Sequence, residues 1–192
     1  QAIVKALFND QGFKNKYYLG SVNSINWARI LAQIVYYFYA WFQVAKDDSE
    51  LVSFVVPTGN FGNVLAGYYA KRMGLPIDKL VIGTNENDIL HRFFSKGEYH
   101  RTELIETYSP SMDIQISSNF ERYLYDLAGN SAETLQRWMD DFERRGKLTL
   151  EGDLLKQAQS DFASARVSDE EIVRTICDFH LETGYLLDPH TA

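Results

Sequence analysis

Between Leu51 and Gly74 the hydrophobic period of the chain switches abruptly, and few architectures accommodate such a switch. Leu51-Val52-Ser53-Phe54-Val55-Val56 is a nearly continuous β-branched and aromatic run, the pattern of a strand buried on both faces, whose usual home is a parallel sheet. Pro57-Thr58-Gly59-Asn60-Phe61-Gly62 then supplies turn chemistry, and Val64, Leu65, Tyr68, Tyr69 and Met73 form a helical stripe that stops at Gly74-Leu75-Pro76. The unit reads as strand, glycine loop, helix.

The neighbouring segments repeat the alternation. Trp27, Ile30, Leu31, Ile34, Val35, Phe38, Trp41 and Phe42 predict a long amphipathic helix before the strand, with Ser24 or Asn26 as its cap. After it, Leu80 to Thr84 reads as a second strand, followed by a helix from about Asp88 to Ser95, capped by Asn87 and stopped by Gly97. Phe120 to Leu127 and Leu135 to Phe142 predict two more helices. The capping box Ser168-Asp169-Glu170-Glu171 opens another, which runs to Gly184 before a last strand candidate, Tyr185-Leu186-Leu187. The expected fold class is therefore α/β: a parallel sheet with flanking helices and a helix-rich second half.

Charge and cysteine content exclude several roles. Lys and Arg number 19 against 26 Asp and Glu, a formal net charge of -7, which argues against nucleic acid or an anionic membrane as principal partner. The most apolar stretch, Ile25 to Val44, carries Asn26, Arg29, Gln33 and Gln43, so it reads as a buried helix and no membrane span is expected. With Cys177 alone, no internal disulfide can form; with no signal pattern either, a cytoplasmic setting is expected. The four histidines include no helical His-x-x-x-His pair, so no metal site is expected. Cys177 is assigned to the inward face of its helix as a packing residue.

Two places could bind an anion. In an open parallel sheet ligands sit beyond the carboxyl ends of the strands, where the loop Gly59, Asn60, Phe61, Gly62, Asn63 would aim backbone N–H groups and a helix dipole at one point. A phosphate cradle and a bare βα turn both satisfy that pattern. Asn23, Ser24 and Arg29 form the second candidate, the guanidinium reaching back along the helix to an anion at its start. A helix cap with a surface arginine satisfies that spacing as well.

Longer stretches carry a resemblance. Ser21 to Ile30, Val56 to Gly62, Ala66 to Pro76, Thr84 to Arg92, Met112 to Gln115 and Asp188-Pro189-His190-Thr191-Ala192 together resemble the threonine synthase family of the fungal and bacterial type. That resemblance implies an enzyme dependent on pyridoxal 5'-phosphate (PLP), of fold type II as in tryptophan synthase β and threonine dehydratase. Its reaction is the conversion of O-phospho-L-homoserine and water into L-threonine and phosphate. By the same resemblance Gly59 to Asn63 hold the cofactor phosphate, and Asn23, Ser24 and Arg29 the substrate phosphate. Asp188 to Thr191 fall where the family approaches the cofactor ring, with no role assigned.

One family element is absent from these residues. The Schiff-base lysine of the family follows a Phe and precedes an Asp, but Phe13-Lys14 is followed here by Asn15. The resemblance therefore implies no catalytic residue in this chain: residues 1–192 form part of the catalytic domain of a longer enzyme, the lysine segment lies upstream, and the chain alone is inactive. A threonine synthase-like phospho-lyase yielding a keto acid, and a non-catalytic homologue that binds phosphate ligands, remain as alternatives.

Overall fold

In a computed structural model, residues 7, 8, 10–20 and 26–192 are described; Asn23 and Ser24 lie outside them. A short helix, α1 (Gln11–Tyr17), precedes α2 (Trp27–Val44). The Asn26 side chain accepts the Ala28 N–H and so caps α2. Three strands, β1 (Val52–Pro57), β2 (Ile77–Thr84) and later β5 (Phe162–Arg166), form one parallel sheet in the order β1-β2-β5. Between β1 and β2 runs α3 (Gly62–Arg72), and β2 leads into α4 (Ile89–Lys96). A hairpin-like pair, β3 (Glu98–His100) with β4 (Lys147–Thr149), is antiparallel and separate. The helices α5 (Phe120–Leu127), α6 (Ala132–Arg145), α7 (Gly152–Asp161) and α8 (Asp169–Thr183) complete the helix-rich second half.

The core lies on one side of the sheet. Val56, Leu80, Ile82 and Phe162 point into it and meet Val64 and Leu65 of α3, Leu90 and Phe94 of α4 and Tyr123 of α5. The opposite side is only partly covered. Val55 is 73% exposed, so β1 is not buried on both faces as its unbroken apolar run suggests. It is an edge strand, and its outward side chains have no second layer over them among the described residues. The stripe of α2 divides in the same way: Ile30, Ile34, Tyr37 and Trp41 are buried, whereas Leu31, Val35 and Phe42 are exposed.

Other expectations also change. Strand β5 and helix α7 lie in a stretch too polar and alanine-rich to announce either. Residues 162–166 become a strand because β2 offers them its free ladder edge, with Leu80 opposite Phe162 and Ile82 opposite Ser164. Tyr185 to Leu187 form no strand; Tyr185 and Leu186 are exposed after the left-handed Gly184 that stops α8. Cys177 is exposed, not inward, because α8 buries only Ile172 among its residues. Asn87 does not cap α4. Its amide is drawn into a buried cluster, donating to the Ile105 carbonyl (2.8 Å) and Asp113 Oδ1 (3.0 Å), while Asp88 takes the cap position without a side-chain capping bond. The capping box of α8 forms as expected, with Glu171 Oε2 accepting the Ser168 N–H at 2.8 Å.

Candidate active site

The loop after β1 turns into α3 through Phe61, whose φ of 62° lies in the left-handed region. A phenylalanine adopts that conformation at a cost of about 1–3 kcal/mol. Its side chain explains why it stays there: it is 1% exposed, stacked on Phe94 and edge-on to Phe120 and Phe162. The ring anchors the turn in the core, so Phe61 offers the site only its main chain. Because Phe61 makes no capping bond with its side chain, the first amides of α3 are left to solvent or a ligand, at the positive end of the helix dipole.

The rest of the loop is pinned from outside. The Ser117 hydroxyl donates to the Gly59 carbonyl at 2.9 Å, and the Asn119 side chain donates to the Asn60 carbonyl at 3.0 Å. Thr58 N–H joins the Gly83 carbonyl at the end of β2 (2.8 Å). At Gly59 a Cβ would lie 3.0 Å from the Ser111 carbonyl oxygen and 3.2 Å from Met112 Cα. Glycine thus suits the close approach of the 3₁₀ turn Pro110–Met112, which a side chain would have to push back. That turn is held in place by the cluster around Asp113, which accepts from Thr107 Oγ1 and Asn85 Nδ2, both at 2.7 Å.

These residues open on a cavity of about 380 Å³ lined by Thr58 to Val64, Ser111, Arg29 and Gln33. Arg29, the one described member of the second anion-binding candidate, therefore shares one hollow with the glycine loop. Arg29 makes no ion pair among the described residues, so its charge is available to a ligand. A smaller hollow of about 110 Å³ adjoins at the carboxyl ends of the strands, lined by Gly83, Thr84, Met112, His190 and Thr191 among others. The tail at Asp188 to Thr191 thus lies against the same turn. His190 Nε2 accepts the Ser111 N–H (3.3 Å), while its backbone N–H donates to Asp188 Oδ1 (2.8 Å) and its Nδ1 bonds the same oxygen (2.7 Å); the backbone bond first and the ring bond second hold the Asp188 carboxyl below its ordinary range.

Several residues at this site carry no motif. Ser111, Ser117 and Asn119 reach the loop from more than forty residues downstream, where nothing local announces them. Gln33 and Tyr37 were legible in principle, since with Arg29 they recur every fourth residue along one helix face.

Parallel strands with flanking helices, and a glycine turn at the carboxyl end of β1 that opens a helix, place the chain among α/β proteins. Its relatives specify which. No family model matches the sequence. Threonine synthase of Schizosaccharomyces pombe is 49% identical over the whole of this chain, which corresponds to 42% of that protein. The Saccharomyces cerevisiae threonine synthase is 50% identical, again over the whole chain and 40% of its own length. The crystal structure of PLP-bound threonine synthase from Brucella melitensis superposes with a TM-score of 0.92 at 48% identity, covering 99% of this chain and 41% of that one. The chain belongs to the threonine synthase family and spans about two fifths of the length of the curated relatives it matches.

Proposed function

We propose that this chain forms the phosphate-binding side of a PLP-dependent threonine synthase, which converts O-phospho-L-homoserine and water into L-threonine and phosphate. The observation that carries the proposal is the single 380 Å³ cavity where the glycine loop faces Arg29. The loop fits a phosphate group: the helix behind it has no side-chain cap, so the first amides of α3 can meet an anion at the positive end of the helix dipole. PLP, when bound, would supply an electron sink for removal of protons from the amino-bearing carbon and its neighbour.

The chain's own residues bind and orient. Gly59 to Asn63 would hold the cofactor phosphate by main-chain N–H groups. Arg29 would hold the substrate phosphate as a charge-assisted donor, keeping the leaving group in place until it departs as phosphate; Asn23 and Ser24 complete this set in the reading. The core behind the loop, with Phe61, Phe94 and Phe120 in contact, keeps water from approaching the cradle from beneath. The lysine that holds the cofactor covalently is assigned to a segment outside these 192 residues, so residues 1–192 make up part of the catalytic domain.

The direct test uses the full-length protein that contains this chain. With PLP and O-phosphohomoserine it should yield threonine and an equal amount of phosphate; 2-oxobutanoate as product would assign a phospho-lyase instead, and no turnover would assign a non-catalytic homologue. Borohydride reduction of the 192-residue chain with PLP, read by intact mass, should leave no stoichiometric adduct. A single phosphate-sensitive adduct would place the covalent lysine among its nine lysines.

A further inference from the structure

Two walls of the cavity are joined by a line of side-chain hydrogen bonds. Arg29, Gln33 and Tyr37 stand at four-residue steps on α2 and so share the face turned to the start of α3. The Tyr37 hydroxyl donates toward Asn63, 2.8 Å from its Oδ1 and 3.0 Å from its carbonyl oxygen. Asn63 Nδ2 donates to Gln33 Oε1 at 3.1 Å, and Gln33 Nε2 donates to the Arg29 carbonyl at 2.9 Å. Every bond runs in one direction, from Tyr37 toward Arg29. Each also orients the next: with the Asn63 oxygen on the phenol, its NH₂ faces Gln33, and the NH₂ of Gln33 is left for Arg29.

The origin of the chain is rigid. Tyr37 is 4% exposed and edge-on to Phe54 at 5.0 Å. Gly67 of α3 lies so close that a Cβ there would be 2.6 Å from Tyr37 Cε1 and Cζ. Burial pushes the phenol well above its ordinary pKa, so it remains a neutral donor. The Asn63 side chain is occupied by these bonds to α2, which leaves its main-chain N–H for the cradle.

We propose that Tyr37, Asn63 and Gln33 are positioning residues that clamp the first turn of α3 to α2, setting the span between the amide cradle and Arg29 so that two phosphate groups fit one cavity. This rests on the phosphate reading above and adds to it the device that holds the two subsites in register. Cutting either end of the chain should loosen both subsites together.

The test uses the full-length protein with Tyr37→Phe, Gln33→Met and the double variant, each close to constant volume. Inorganic phosphate is titrated into the PLP-loaded protein, and the ³¹P resonance of bound PLP is recorded beside the unfolding midpoint. One hydrogen bond is worth roughly fivefold. Each single variant should weaken phosphate about fivefold and shift the PLP resonance, and the double variant should be no weaker than either, because one cut already opens the chain. Val35→Ala, on the exposed outer face of α2, should alter neither signal. Wild-type affinity and an unmoved resonance in both single variants would overturn the clamp, as would a double variant near the roughly 25-fold product of independent bonds. If the wild type itself bound neither PLP nor phosphate, the phosphate reading would fail before the clamp was tested.

Discussion

Gly59→Ala tests the cradle with one methyl group. The added carbon would sit 3.0 Å from the Ser111 carbonyl oxygen and 3.2 Å from Met112 Cα, against a comfortable carbon contact of about 3.5–4.0 Å. The loop and the 3₁₀ turn must therefore part by roughly a few tenths of an ångström. Neither yields freely. The Gly59 carbonyl is held by Ser117 at 2.9 Å, and Met112 is buried with its N–H on Ser109 at 2.9 Å. Overpacking of this kind costs about 1–3 kcal/mol, offset by about 0.4–1 kcal/mol from a less flexible unfolded chain. The net loss, up to about 2–3 kcal/mol, lowers the unfolding midpoint of the full-length protein by no more than a few degrees. The same shift moves the Asn60 amide relative to a bound phosphate. One charge-assisted hydrogen bond, about 1.5–3 kcal/mol, corresponds to PLP binding weakened about 10- to 150-fold. The assay is PLP titration of the full-length apoprotein by fluorescence beside thermal unfolding. A variant whose midpoint falls while PLP affinity stays at the wild-type value would refute the assignment of this loop to the cofactor phosphate.

Further predictions concern the substrate, stability and pH. Arg29→Ala should raise the KM for O-phosphohomoserine about tenfold or more while PLP affinity changes little; an unaltered KM would remove Arg29 from the site. Gly97→Ala should destabilise by about 2–5 kcal/mol in denaturant titration, because its Cβ would collide with the Leu150 carbonyl oxygen and its φ of 75° disfavours a side chain. Burial and the neighbouring Arg92 lower the His100 pKa. The unfolded chain then takes up the proton first, so stability is full above about pH 6.5 and declines as pH falls below it, until the lowered folded value is passed. His100→Gln should flatten that slope in pH-resolved chemical denaturation. Hydrogen bonds from Ser168 lower the Glu171 pKa, so the box stabilises above the ordinary carboxylate range and the benefit is lost as pH falls through the lowered folded value. Glu171→Gln should cost stability at neutral pH, and the gap to wild type should close in acid.

Legibility followed the range of the forces involved. The capping box of α8 and the glycine stops at Gly97 and Gly184 depend on residues within one turn of each other and are legible in the sequence, which also narrows the cap of α2 to Ser24 or Asn26. At Asn87 a capping residue and a buried network residue look alike in sequence, and only Asp113, 26 residues away, separates them. Strand β5 and helix α7 had no strong period of their own. The opposite error occurred at β1 and at Cys177, where an apolar run and an apolar helix face were read as buried, yet the described residues place no layer over them.

By itself the amino-acid order determined the βα unit, the turn chemistry of Gly59 to Gly62 and the spacing of Arg29, Gln33 and Tyr37, because backbone sterics and the helical repeat act over a few residues. The convergence of Arg29 with the glycine loop was decided only in three dimensions, as was the use of Asn63 as a link to α2. Both depend on how closely α2 and α3 approach, and that distance is set by Tyr37 packing against the bare backbone of Gly67, a contact between residues thirty positions apart that no local pattern encodes.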